Sequence, residues 1–192
     1  MKTPSITASQ GDYTAVNDAF ASNPQNNPLG GIWIFPDSNG APRTIKYVQY
    51  KPTSAATWTQ GAALFYTDYT RTIVTNKNSE AATYLVSTCA AIHSFAGLSL
   101  NATAPTVTNF IWIQVAGYNA NITMPASTTA GDKLVCSNAI GTSPTDNVLV
   151  RVAGGTTVGM IEALLAIIFV TTAAASGGGL GAGWIRGTLG IY

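Results

Sequence analysis

The chain has 192 residues, of which 46% are hydrophobic and 9% charged, and its formal net charge is +1 at pH 7. That length is enough to bury a substantial core, but charged residues make up about 25% of a typical soluble domain. The nine basic residues are scattered, with one local cluster at Arg43, Lys46 and Lys51, and phosphate binding needs a basic patch. We therefore exclude nucleic acid as an expected partner.

A surface with so little charge lacks the mixed charges that normally keep soluble proteins apart. We expect much of this surface to be covered in an assembly. The alternative is a monomer whose surface is glycosylated or coated by Ser and Thr.

The N-terminal region, residues 1 to about 30, contains three prolines and several Asn and Ser residues, with one short helix candidate at residues 12–20. It is typical of an extended arm that orders on a partner surface, or of a poorly ordered terminus. The start of the chain has no apolar run before a small-residue cleavage site, so we expect no secretory signal and synthesis in the cytoplasm. Residues 1–55 are predicted to form this arm and a small β region.

The remaining residues, 56–192, are predicted to form an all-β antiparallel sandwich or barrel. The chain is rich in Thr, Val, Ile, Ala and Gly, and no long stretch has the spacing of an amphipathic helix. Clusters of Gly, Pro, Asn and Ser separate the candidate strands. Over the whole chain, including residues 1–55, the candidate strands in order are GGIWIF, TIKYVQY, AALFYTD, TRTIVTN, ATYLVST, FAGLSLN, FIWIQVAG, ANITMP, DKLVCSN, VLVRVAG, GMIEALLAIIFVTT and WIRGTLGIY.

The segment 109–124, NFIWIQVAGYNANITM, has no ionisable acid or base. In a strand, alternate side chains point to opposite faces, which separates Phe110, Trp112 and Gln114 from Ile111, Ile113 and Val115. Both faces are then largely apolar, which indicates a strand that is central in the fold or covered by a partner. Gly117 permits a bend or a close backbone approach, and Tyr118 supplies an apolar ring with a polar tip.

The uncharged stretch at residues 163–185 is long enough to cross a membrane, but its composition argues against a span. Only residues 163–170 are strongly apolar, and the run SGGGLGAG that follows is typical of a loop. We predict a buried strand, a glycine-rich loop and a returning strand, and no membrane partner.

A weak internal repeat is visible in the spacing Thr-x-Gly-x-x-Leu. TQGAAL at residues 59–64 is echoed by TAGDKL at residues 129–134. Downstream, FAGLSLN at residue 95 is loosely echoed by TVGMIEA at residue 157. A duplicated β unit produces this pattern, and so do unrelated strands that share common turns.

The residue pattern does not favour an enzyme. The one histidine, His93, lies in an apolar context without a G-x-S-x-G motif, and the carboxylates are well separated in sequence. Cys89 and His93 are four residues apart, but two ligands do not make a zinc site and Cys136 has no C-x-x-C partner. We expect no cofactor and no metal. Glu162 is expected to point outward, or to pair with Arg151 or Arg186 at a subunit contact.

Three pieces of the sequence together resemble the capsid decoration, or cement, proteins of tailed bacteriophages. These are GAALFYTDYTRTIVTNKNSEA, FAGLSLNATAPTVTNFIWIQVAGYNANI, and AGDKLVCSN with the later TVGMIEA. The order of a Gly-led strand, an aromatic strand ending in Gly, a G-D-x-[LV] strand and a V-G-x-[AI] strand is similar to that family over about residues 61–192. The chain departs from the pattern at Ala62, where an acid is usual, and in its N-terminal region.

The resemblance implies a β-rich homotrimer on the outer capsid surface of the virion, which clamps adjacent major capsid proteins. On this interpretation we expect Phe110, Trp112, Tyr118, Trp184 and Arg186 at a subunit or capsid interface. The alternative is a receptor- or glycan-binding module of a phage head or tail fibre. Its candidate sugar-stacking residues are Trp33, Trp58, Tyr66 and Tyr69.

Overall fold

The computed structural model describes residues 29–36, 40–51, 60–67, 70–76, 95–100, 109–136, 149–151, 168–173 and 178–186. In these ranges the chain forms ten strands and no helix, which confirms the all-β prediction. The predicted N-terminal arm, its helix candidate and the strand ATYLVST lie outside the described residues. The strands are β1 (Ile32–Pro36), β2 (Pro42–Tyr50), β3 (Ala63–Tyr66), β4 (Ile73–Thr75), β5 (Phe95–Ser99), β6 (Asn109–Met124), β7 (Lys133–Cys136), β8 (Leu149–Arg151), β9 (Ile168–Thr172) and β10 (Gly179–Ile185).

The first unit is a closed barrel of five strands. Pairing runs from β2 to β4, β3, β5 and the first half of β6, which pairs again with β2. All pairs are antiparallel except β2 with β4, because β4 turns back on β3 and so runs in the direction of β2. Alternate residues of every strand fill the interior, as the pleat requires: Val48, Tyr50, Ala62, Leu64, Tyr66, Val74, Ala96, Ile111, Ile113 and Val115.

The second unit repeats this arrangement with the second half of β6, β10, β9, β7 and β8. The order β6-β10-β9-β7-β8 corresponds to β2-β6-β5-β3-β4 of the first unit, and each corresponding pair is antiparallel. The two units differ at the edge that closes the first barrel. In the first unit, β2 and β4 pair along this edge. At the corresponding edge of the second unit, Met124 of β6 and Leu149 of β8 share a core cluster and line a cavity of about 230 Å³.

The backbone register is the same in the two units. Gly61 N–H donates to the Ser99 carbonyl (3.0 Å), and Ser99 N–H donates to the Ala62 carbonyl (2.9 Å). The corresponding bonds of the second unit join Gly131 to Val170 and Val170 to Asp132, each at 2.9 Å. The Thr-x-Gly-x-x-Leu echo therefore marks the same turn into β3 and into β7. The second echo, at residue 157, lies outside the described residues.

Strand β6 belongs to both units and has 16 residues, where the sequence predicted two strands, FIWIQVAG and ANITMP. The prediction of a break was wrong, because Gly117 bends the strand without ending it. Gly117 has a φ of 94°, and a Cβ there would overlap the Pro42 carbonyl, so only glycine fits. On the same strand, the buried Gln114 amide donates to the Tyr118 carbonyl at 2.8 Å.

Strand β10 begins inside the glycine run that was predicted to be a loop. Gly179–Ile185 pairs with β6 on one edge and β9 on the other. A Cβ at Gly181 would lie 2.7 Å from the Thr172 carbonyl, and one at Gly183 would lie 2.5 Å from the Phe169 carbonyl. The glycines are therefore needed for close packing between strands. The prediction that this glycine run forms a loop was wrong for Gly179–Ile185.

The strands on either side of the predicted domain boundary at residue 56 pair with each other. β1 pairs with β2, and β2 pairs with β4 and β6 of the region that follows. The first barrel therefore includes residues from both predicted segments.

Two corresponding glycines provide a matched test of this packing. Gly61 and Gly131 have φ values of 76° and 90°, so alanine is strained by about 1–2 kcal/mol at either position. A Cβ at Gly61 would also overlap the Asn121 carbonyl of β6, whereas nothing lies within 4 Å of one at Gly131. We expect Gly61→Ala to lower the free energy of unfolding by about 3 kcal/mol or more, and Gly131→Ala by about 1–2 kcal/mol. Urea titrations measure both losses in the free energy of unfolding. Equal losses would contradict the close packing of Gly61 against the Asn121 carbonyl of β6.

Candidate interaction surface

The large apolar side chains that are exposed in the described part of the chain fall into two groups. The first, the β1 patch, consists of Leu29, Ile32 and Ile34. The second consists of Phe169, Leu180 and Trp184 on β9 and β10. Together with the half-buried Tyr118 of β6, we name this second group the C-terminal face.

The C-terminal face is built around a row of three aromatic residues on adjacent strands. Phe169 lies opposite Trp184, and Trp184 lies opposite Tyr118, so the three side chains share one face of the sheet. The Tyr118 and Trp184 rings pack at 5.7 Å with a 60° tilt. Because neighbouring strands are about 4.8 Å apart, the row spans roughly 10 Å. Trp184 is 44% exposed, so the row presents a broad apolar surface to the outside.

Arg186 follows β10 directly and is exposed. It lies two residues after Trp184 in the chain. Of the five residues predicted at an interface, the structure brings Tyr118 and Trp184 into contact.

The other two predicted interface residues, Trp112 and Phe110, lie in a different environment. Trp112 is 0% exposed and is packed by side chains of its own chain. Trp33 meets it edge-on at 4.6 Å, and Tyr47 packs on it at 4.9 Å. Phe110 is half-buried and stacks on Tyr47 at 6.0 Å. Burial raises the pKa of Tyr47 to about 12, so its phenol stays neutral at physiological pH.

The alternation predicted for residues 110–115 is confirmed by these positions. Ile111, Ile113 and Val115 fill the first barrel, whereas Trp112 belongs to a separate cluster against which Phe110 packs. Trp112 has no surface to offer a partner while the subunit is folded.

The β1 patch lies on an edge strand. β1 pairs only with β2 among the described strands. Its Trp33 side chain packs inward against Trp112, so the alternate residues Ile32 and Ile34 point the other way. Ile34 is 70% exposed. A short edge strand with outward isoleucines is suited to contact another protein.

Sequence reasoning missed Phe169, Leu180 and the β1 patch. Phe169 was predicted to lie in a buried strand, Leu180 in a glycine-rich loop, and Ile32 and Ile34 in an ordinary candidate strand. The available signal was alternation, since Phe169 stands between the buried Ile168 and Val170, and Ile32 and Ile34 flank Trp33. A bulky apolar residue on the face opposite to the core is a candidate contact residue.

Several charged side chains are engaged within the chain. The Lys46 ammonium donates to the Tyr66 hydroxyl at 2.9 Å and to the Arg71 carbonyl at 2.8 Å. Arg151 lies 3.6 Å from the Asp132 carboxylate, which accepts hydrogen bonds from Thr129. Arg151 was a candidate partner of Glu162, which lies outside the described residues. The predicted basic cluster thus has its central ammonium bound internally.

Within the described ranges, no three His, Cys, Asp or Glu residues lie close enough together to hold a metal ion. Cys89 and His93 fall outside these ranges. No helix among the described residues is long and apolar enough to cross a membrane.

No protein-family model, curated protein or solved structure matches the chain. The resemblance to capsid decoration proteins therefore stays a prediction.

Trp112 and Trp184 offer a matched pair of substitutions. Trp112→Ala removes a fully buried ring, and we expect the free energy of unfolding to fall by about 3–5 kcal/mol. Trp184→Ala removes an exposed ring and its contact with Tyr118, with an expected loss of about 1 kcal/mol. Chemical denaturation at low protein concentration measures both. If Trp184→Ala lowered the free energy of unfolding by clearly more than about 1 kcal/mol, the C-terminal face would be part of the subunit core.

Proposed function

We propose that this protein is a non-enzymatic structural protein of a virion, which decorates the outer capsid surface as a homotrimer and clamps adjacent major capsid proteins. The observation that carries the proposal is the pair of exposed apolar groups on a chain with 9% charged residues. Such surfaces are typical of proteins that adhere to other proteins. The resemblance of residues 61–192 to decoration proteins names the class of partner.

The physical demands of decoration agree with this chemistry. At about 25 cal/mol per Å² of apolar area, a few hundred Å² per contact provides several kcal/mol before association costs are subtracted. A trimer that touches several capsid subunits gains further, because each contact after the first is intramolecular. Modest apolar patches, repeated by symmetry, then hold the protein firmly.

The proposed adhesive role requires neither charged side chains nor catalysis. Adhesion between apolar surfaces requires neither a general base nor a metal, and the side chains of Lys46 and Arg151 are bound within the subunit. We place the protein in the assembled virion after synthesis in the host cytoplasm, without nucleic acid or a membrane as a direct partner.

The glycan-binding alternative loses part of its basis. Tyr66 is buried in the first barrel, so its ring is not displayed for stacking on a sugar, and the half-buried Trp33 ring packs edge-on against Trp112. Trp58 and Tyr69 lie outside the described residues.

Salt provides the test of an apolar attachment. Raising the ionic strength from about 0.1 M to about 1 M shortens the Debye length from about 10 Å to about 3 Å, which weakens contacts between exposed charges. We expect the amount of protein that cosediments with undecorated phage capsids to change less than about twofold over this range. Capsids that already carry their decoration protein are the control and should bind none. Loss of binding at high salt, or no binding to undecorated capsids at any salt, would contradict the proposal.

A further inference from the structure

Side-chain positions in the two units can be matched strand by strand, because the strand pairings share one register. In the first unit, Leu98 of β5 lies opposite Gln114 of β6, and Gln114 lies opposite Ile45 of β2. The corresponding row of the second unit consists of Phe169, Trp184 and Tyr118. A residue of the second unit can therefore be compared with its counterpart in the first.

The matching extends to the edge that closes the first barrel. There Tyr50 of β2 pairs with Val74 of β4. By strand register, the counterpart of Tyr50 is Met124 at the end of β6, and the counterpart of Val74 is Leu149 of β8. Among the described strands, β6 and β8 do not pair. Met124 and Leu149 instead line the cavity of about 230 Å³.

In the first unit an aromatic ring fills this place. The Tyr50 side chain is fully buried in the same core cluster as Val74. Its hydroxyl donates to Oδ1 of the buried Asn76 at 2.9 Å. One ring and its polar partner therefore occupy the closing edge of the first barrel.

Met124 does not take the place of that ring. Its sulfur lies 2.5 Å from the position that a Cβ on Gly181 would occupy, so the methionine side chain leans over the glycine. By register, Gly181 is the counterpart of Ile111, which fills the first barrel. The methionine thus uses space that a branched side chain fills in the first unit, and the place of the tyrosine ring is left as the cavity.

The side chains that line the cavity are mostly apolar. Those of Met124, Pro125, Ala126 and Leu149 carry no hydrogen-bonding group, and two glycines contribute backbone alone. The remaining lining residue, Thr123, donates its hydroxyl to the Gln60 carbonyl at 3.1 Å. A buried polar group without a partner costs free energy, so this lining favours a ligand without polar groups.

The polar partner of the tyrosine ring is also not repeated. The counterpart of Asn76 by register is Arg151, which is exposed and donates to the Ser127 carbonyl at 3.2 Å. A phenol hydroxyl placed like that of Tyr50 would therefore not find the same acceptor. This difference favours a plain hydrocarbon ring over a phenol.

The volume of the cavity suits one ring. An apolar cavity of about 150 Å³ is enough to bind benzene, and pockets for drug-sized ligands begin at about 300 Å³. The cavity, at about 230 Å³, lies between these sizes. It has room for a single six-membered ring with small alkyl substituents.

We propose that this cavity binds a small apolar molecule with a single aromatic ring, which takes the place that the Tyr50 ring has in the first unit. The ligand would lie between Met124 and Leu149 and join β6 to β8 through apolar contacts. This site goes beyond the proposed function, because it requires neither a capsid nor a second copy of the chain.

Toluene is the probe, and the methyl signal of Met124 in NMR spectra is the reporter. The chain has three methionines, so protein labelled at the methionine methyl groups gives three signals, and Met124→Leu identifies one of them by its loss. An aromatic ring shifts the signals of nuclei that it contacts. We expect toluene to shift the Met124 signal saturably, with a dissociation constant on the order of 1 mM or lower.

Two variants close the cavity in different ways. Met124→Tyr restores the residue type of the first unit, and Ala126→Trp adds an indole to the cavity wall from an exposed position, where the fold should persist. We expect each to weaken toluene binding about tenfold or more, measured by saturation transfer from protein to toluene. The control is Met124→Leu, which exchanges apolar side chains of similar volume and should bind toluene within about threefold of wild type.

Three results would overturn the inference. The first is the lack of a saturable shift of the Met124 signal up to the solubility limit of toluene. The second is wild-type affinity for toluene in both cavity-closing variants. The third is loss of cosedimentation with undecorated capsids when toluene is added, which would assign the cavity to an aromatic side chain of a capsid protein. The first two results use purified protein alone, so they are independent of the decoration proposal.

Discussion

Strand β6 is the constraint on which the rest of the structure depends, because it closes the first barrel and begins the second unit. Its first half pairs with β2 and β5, and its second half pairs with β10. The change from one unit to the other occurs at Gly117, where the φ of 94° bends the strand. The Asn121 N–H donates to Asn119 Oδ1, Asn119 Nδ2 donates to Gln114 Oε1, and Gln114 Nε2 donates to the Tyr118 carbonyl, so these hydrogen bonds hold the backbone on both sides of the bend. These buried polar groups are all paired within one strand, so they stabilise the bend without requiring a partner.

The shared strand explains how one repeated pattern yields two surfaces with different properties. In the first unit the row Leu98, Gln114 and Ile45 is buried within the chain. In the second unit the corresponding row carries Phe169, Trp184 and Tyr118 and is open on one side. Repetition of the backbone therefore gives two units of the same architecture, and the change of side chains gives the second unit an exposed aromatic surface. Under the proposed function, the low charge of the chain agrees with apolar contact between proteins, which needs few charges.

Much of the fold could be predicted from the sequence where the physical signal is local. The alternation of residues 110–115 predicted which side chains share a face, because successive strand residues point to opposite sides. The Thr-x-Gly-x-x-Leu echo identified two equivalent turns, because Gly61 and Gly131 both adopt positive φ. The parallel pairing of β2 with β4 and the closing of the barrel depend on contacts between distant residues, which no local pattern encodes.

The candidate site was only partly predictable for a related reason. Aromatic content pointed to Trp112 and to Trp184, but the sequence does not say which chain covers an apolar face. Trp112 is buried by Trp33 and Tyr47, while Trp184 is left exposed. Glycine also has two roles that sequence spacing does not separate. At Gly181 and Gly183 it allows close approach within a sheet, where the sequence favoured a loop.

The measurement that tests the central claim most directly is the mass of the purified wild-type protein in solution, determined by light scattering over a range of concentrations. The account predicts a discrete trimer whose mass is constant over that range and three times the chain mass of 19.9 kDa. A well-behaved monomer with that chain mass at every concentration would contradict it, and would require another explanation for the exposed aromatic row and the low charge.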